Sequence, residues 1–187
     1  MARVISDEDR LALVGLARGA LEASVLGKAL SSVASPASAT GILAERRGCF
    51  VTLTNQGRLR GCIGTFSPQK PLGELVVDMA CQASQDSRFV MDPITPAELE
   101  QIHVEVSVLS PLERTEHPEE LELGRDGIYI VAGGRAGCFL PEVATEAGWS
   151  VEEFLDACCT HKAGLPAGAW RESTTAVYLF TSEKFGE

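Results

Sequence analysis

Hydrophobic and polar positions along the chain switch between a period near 3.6 and a period near two. Leu11, Val14, Leu21 and Val25 keep one helical face apolar, and Ser6 with Asp9 predicts an N-cap followed by an acidic first turn. Ser31 to Gly41 is small, polar and broken by Pro36, which predicts a mobile connector at 31–41. Phe50-Val51-Thr52-Leu53-Thr54 alternates as a strand, Asn55-Gln56-Gly57 supplies a turn, and Arg58 to Ile63 returns as the second strand of a hairpin. Strand parity aims Val51, Leu53, Leu59 and Ile63 at the core and sends Arg58, Arg60 and Cys62 to the opposite face, a pattern that a bulge at Gly61 would break.

Pro68 and Pro71 open a helix whose Leu72, Leu75, Val76, Met79, Ala80 and Ala83 form one stripe, ending near Asp86-Ser87-Arg88-Phe89. Thr95-Pro96-Ala97-Glu98 reads as a capping box with proline at the first helical position. Ile102, Val104, Val106 and Val108 then share one face of a strand, with His103, Glu105 and Ser107 on the other. Glu113 to Glu122 reads as an acidic surface excursion. Ile128 to Val131 and Cys138 to Leu140 flank a glycine-rich tip, predicting another hairpin. Ser150 with Glu153 caps a helix that buries Val151, Phe154, Leu155 and Cys158 and stops at Gly164 and Pro166; Thr175 to Thr181 makes a last strand. Helices interspersed with hairpins, without regular alternation, predict an α+β fold with antiparallel sheet.

Composition narrows the function classes. With 187 residues, 45% of them hydrophobic, the chain suffices for one domain or two small subdomains sharing a core. A formal net charge of -10 argues against nucleic acid and anionic membranes as partners. Met1 to Glu8 lacks the apolar core of a secretory signal, and Leu11 to Leu30 is interrupted by Arg18, Glu22 and Lys28, so no membrane span is expected and a cytoplasmic location is. The six cysteines should stay reduced there, and none forms a Cys-x-x-Cys pair. Only Cys158-Cys159-Thr160-His161 gathers metal-ligand types, but adjacent helical side chains diverge by about 100° and rarely chelate one ion. No metal and no cofactor is expected; the Gly133-Gly134 tip lacks the lysine and hydroxyl of a phosphate loop.

The chemistry concentrates in Leu59-Arg60-Gly61-Cys62-Ile63-Gly64. Its glycines leave room for a ligand, and Arg58 and Arg60 would stabilise a Cys62 thiolate. A nucleophile wants a base, and His103 and Glu105 share the outward face of a later strand. Arg60 is equally suited to clamp a carboxylate or phosphate through its planar fork or to pair with an acid such as Glu105 or Asp86. Asp86 and Arg88 carry the same two readings, a ligand contact in the cleft or a local bridge ending the preceding helix, with the bridge preferred. His161 and Lys162 fall in a last helical turn, where positive charge complements the dipole.

Gly48-Cys49-Phe50-Val51-Thr52-Leu53, followed by Gly57 to Thr65, resembles the signature of the AMMECR domain family. Further similar motifs follow in order: Asp86 to Phe89, Glu105 to Leu109, Leu140 to Ala144, and Lys162-Ala163-Gly164-Leu165-Pro166. Glu142, Cys138 and Phe139 depart from the residues common there. The resemblance implies a single domain over 1–187 made of two subdomains, each an antiparallel sheet with flanking helices, with the hexapeptide near a cleft between them and Lys162 a further cleft residue. It also implies an association, as protein A of the AmmeMemoRadiSam system, with a radical S-adenosylmethionine protein and a Memo-like protein. Two functions follow as expectations: a binding or accessory protein holding a polypeptide or small molecule for partner enzymes, or a cysteine-dependent enzyme with Cys62 as nucleophile, Arg60 on an anionic group and Glu105 or His103 moving protons.

Overall fold

A computed structural model describes residues 5–33 and 41–187. The chain forms two compact units, one from the residues up to Leu109 together with Glu183–Glu187, the other Ser110–Ser182.

The first unit is a four-stranded sheet in the order β2-β1-β3-β8, with two helices on one face. Helix α1 (Asp7–Val25) starts at Ser6, whose hydroxyl accepts the Asp9 amide at 3.2 Å. Its buried stripe is Leu13, Val14, Ala17, Ala20 and Leu21; Leu11, expected inside, is 76% exposed. Three buried alanines of α1 (Ala17, Ala20 and Ala23) leave room for α2 (Leu72–Ser84), which buries Leu72, Leu75, Val76, Met79, Ala80 and Ala83. Strands β1 (Cys49–Asn55) and β2 (Arg58–Thr65) form a hairpin whose two turn residues, Gln56 and Gly57, both have positive φ (50° and 79°), the backbone twist that suits a two-residue connection. β3 (Ile102–Leu109) pairs with β1 and buries Ile102, Val104, Val106 and Val108. The segment after Thr95 is a short 3-10 turn, Pro96–Gln101, rather than an α-helix. An unforeseen strand, β8 (Ser182–Gly186), closes the other edge. The connector expected at 31–41 lies largely outside the described residues.

The second unit is a sheet in the order β4-β7-β5-β6. β5 (Gly127–Ala132) and β6 (Arg135–Phe139) form a hairpin around Gly133-Gly134, and β7 (Ala176–Phe180) pairs with β5 and with the edge strand β4 (Glu113–Thr115). β4 lies inside the stretch expected to be a surface excursion. Its three residues are too short and too polar to carry an alternation. Helices α3 (Glu142–Ala147) and α4 (Val151–Ala157) follow, the latter running into a π-helical turn, Cys158–Ala163, that ends at left-handed Gly164. Ile128, Ile130, Phe139, Phe154, Leu155, Cys158, Cys159 and Val177 make the core.

Candidate functional site

A β-bulge decides what the hexapeptide does. Leu53 faces Gly61 and Thr54 faces Leu59, so Arg60 is an extra residue with no counterpart on β1. The parity expected from the sequence therefore holds only beyond the bulge, where Ile63 lies opposite Val51 and packs on the core. Leu59 moves to the outer face, 36% exposed, on the same side as Cys62, while Arg60 turns inward and is 3% exposed. Arg60 and Cys62 do not share a face.

Arg60 is consumed by protein. Its Nε and Nη2 donate to the two carboxylate oxygens of Glu98 at 3.1 and 3.0 Å, Nη1 donates to Asp92 at 2.9 Å, and Nη2 also reaches the Pro93 carbonyl at 3.3 Å. Glu98 accepts further bonds from Asn55 Nδ2 and the Thr95 amide, and Arg60 above all holds its carboxyl below the usual range. The partners are thus Glu98 and Asp92 rather than Glu105 or Asp86, and no guanidinium nitrogen is left to clamp a ligand. Exposed Arg58 pairs with the same Asp92 at 2.8 Å. A hollow of about 220 Å³ beside this network is lined by Arg60, Asp86, Phe89 and Pro93, so its charged walls are already paired.

The glycines serve close approach. A Cβ on Gly61 would stand 2.0 Å from the Ala83 carbonyl oxygen, so only glycine lets the end of α2 lie on β2. At Gly64 a Cβ would meet the Phe50 ring at 2.3 Å.

Cys62 is held by its backbone. Its amide donates to Asp86 Oδ2 at 3.1 Å and its carbonyl accepts from Arg88 Nη2 at 3.0 Å. β2 is an edge strand, so two side chains supply the donor and acceptor that a neighbouring strand would. Asp86 is buried, and Arg88, half exposed, binds it through Nε and Nη2 while the Arg88 amide donates to Oδ1. The Arg88 guanidinium, followed by the Cys62 and Arg88 amides, holds the Asp86 carboxyl far below the ordinary range despite its burial. The half-exposed Cys62 thiol accepts a hydrogen bond from Thr52 Oγ1 at 3.3 Å.

Register across the sheet completes the site. Thr52 lies opposite both Cys62 and Glu105, so these three side chains form one lateral row on the outer face. Leu59, Thr54 and His103 form the next row. Glu105 pairs with Lys184 of β8 at 3.4 Å. Cys62 and Glu105 stand two strands apart, about 9.5 Å between backbones. Thr52 stands between them and bonds the thiol, Glu105 pairs with Lys184, and exposed His103 lies one row further along, so neither is hydrogen-bonded to Cys62 as its base. Lys162 belongs to the second unit, where its ammonium lies 5.4 Å from the centre of the Phe139 ring, and His161 beside it is exposed. Cys158 and Cys159 are buried and burial pushes both thiols up, as it pushes Cys49 up to about 12. Among the described residues no three His, Cys, Asp or Glu side chains are grouped to hold a metal, and no helix is long and apolar enough to cross a membrane.

The AMMECR1 family profile matches residues 14–185, which takes in both rows and the whole Arg60 network. The chain belongs to the AMMECR1 family. A protein of Methanothermobacter thermautotrophicus is 40% identical across 98% of this chain and 96% of its own length. One from Thermococcus kodakarensis is 43% identical across 98% and 92%. The crystal structure of an uncharacterized protein from Pyrococcus horikoshii has a TM-score of 0.84 and 39% identity, covering 98% of this chain and 93% of that one. Within this AMMECR1 chain, Thr52, Asp92, Glu98 and Lys184 join the site without having stood out in the sequence. Glu98 is visible there only as a cap, Thr52 only as a strand alternation, and Lys184 sits on a strand too polar to detect.

Proposed function

We propose that this protein is an accessory binding protein of the cytoplasm, whose working surface is the outer face of the first sheet around Cys62, and that it presents a polypeptide or small molecule to a radical S-adenosylmethionine protein and a Memo-like protein. One observation supports this reading above others: the backbone of Cys62 is locked by Asp86 and Arg88, whereas its thiol is hydrogen-bonded to the Thr52 hydroxyl rather than to a carboxylate or imidazole. A rigid face with a hydroxyl, a thiol, a carboxylate and an ammonium in line suits recognition better than proton transfer.

The test is calorimetric titration of the protein with each partner, using the wild type and the Thr52→Val and Glu105→Gln variants. Binding that weakens at least tenfold in either variant, with the fold unchanged by circular dichroism, supports the reading. Absence of binding to both partners, or binding indifferent to both substitutions, refutes it. A cysteine-dependent enzyme is the second reading, favoured by a half-exposed thiol on a residue whose carbonyl accepts from the Arg88 guanidinium at 3.0 Å. Turnover lost in Cys62→Ser while partner binding persists would select it.

A further inference from the structure

The second unit holds a cavity of about 560 Å³, lined by Glu116, Pro118, Glu119, Val151, Glu152, Trp170 and Arg171. That volume lies in the range of small-molecule and side-chain sites. Its wall is constructed rather than incidental. Asp156 Oδ1 accepts from both Trp170 Nε1 and the Gly168 amide at 2.7 Å, which fixes the indole. Arg171 lays its guanidinium over that ring, 3.8 Å from the centroid, and pairs with Glu152. The cavity therefore already demonstrates, with a residue of its own, that a flat cation fits between the indole and a carboxylate.

The remaining lining decides the sign of a guest. Glu116 and Glu119 add two carboxylates against the single Arg171. Their companions, Arg114 at 3.3 Å and His117 at 3.5 Å, form exposed pairs that hold little energy and yield readily. Pro118 and Val151 supply the apolar part of the lining. An anion entering here would meet three carboxylates and an arginine already engaged by Glu152 and close to Asp156.

We infer that this cavity binds an alkyl guanidinium or ammonium group, as carried by an arginine or lysine side chain of a polypeptide or by a free diamine. The alkyl stem lies along Pro118 and Val151, and the cationic head meets Glu116 and Glu119 at the mouth beside Trp170 and Arg171. This site shares no residue with the Cys62 face and stands whether or not the accessory reading holds.

Trp170 provides the reporter. The chain has two tryptophans, so Trp149→Phe leaves Trp170 alone to fluoresce. The capped tripeptides acetyl-Gly-Arg-Gly-amide, its lysine counterpart and its glutamate counterpart are titrated, with putrescine as the free diamine. The expected result is a saturable change with the cationic probes, none with the glutamate peptide, and at least fivefold weaker binding in Glu116→Gln/Glu119→Gln. A response to putrescine equal to that of the peptides assigns the site to free amines; a stronger response to the peptides assigns it to polypeptides. Calorimetry on the wild type repeats the measurement without the Trp149 substitution. No saturable response up to roughly 10 mM probe, an equal response to the glutamate peptide, or undiminished binding in the double variant would overturn the inference.

Discussion

Replacing Arg60 with methionine keeps the apolar stem and volume but deletes the fork that holds Glu98, Asp92 and the Pro93 carbonyl. Breaking a fully buried pair costs about 3–5 kcal/mol. Here the abandoned acids retain some water, since the Glu98 side chain is 25% exposed and Asp92 57%, so we expect a loss of about 2–4 kcal/mol. With a urea slope of about 2 kcal/mol per molar, that moves the midpoint of the first unit down by about 1–2 M. The loss should also depend on pH. Glu98 has a folded pKa depressed by Arg60, so its contribution is present above the unfolded value of about 4.3 and disappears as pH falls through the folded value. The gap between wild type and Arg60→Met is therefore largest at neutral pH and narrows on acidification below about pH 4. Arg60→Lys should fall between the two, because a point charge satisfies one carboxylate and not the fork. Urea titrations at several pH values decide the matter. A stability loss under 1 kcal/mol in Arg60→Met, or a gap that grows in acid, would refute the assignment of Arg60 to structure.

Gly61→Ala should destabilise the first unit by about 1–3 kcal/mol or abolish its folding, because the new methyl meets backbone rather than a movable side chain; thermal unfolding monitored by circular dichroism measures it. Brief treatment of native protein with iodoacetamide, read by peptide mass spectrometry, should label Cys62, Cys81 and Cys138 well before Cys49, Cys158 and Cys159, which are buried.

Much of the framework was legible because its signals are local. The stripe from Leu72 to Ala83, the valines of β3 and the Ser150 cap depend only on spacing within one element. The error at Leu59 and Arg60 has a different origin. A bulge inserts one residue and breaks the alternation, so Leu59 and Arg60 exchange faces while Cys62 and Ile63 keep theirs; Gly61 marks where it can fall but not that it forms. It is set by α2, whose last carbonyls crowd Gly61, and by Glu98, which draws Arg60 inward. Glu105, by contrast, could be placed on the outer face from alternation alone, but its alignment with Cys62 needed the register of both neighbours of β1.

The Asp86–Arg88 clasp also bears on solubility. A sheet edge with a run of unoccupied amides and carbonyls is a template on which a second copy of the chain can add a strand, and repeated addition leads to aggregates. At Cys62 that template is interrupted in the middle of β2, since an incoming strand would have to expel a buried carboxylate and its arginine to continue. The clasp thus acts as a gatekeeper against self-association along β2, and its loss would be felt as precipitation on storage as well as in a lower melting temperature.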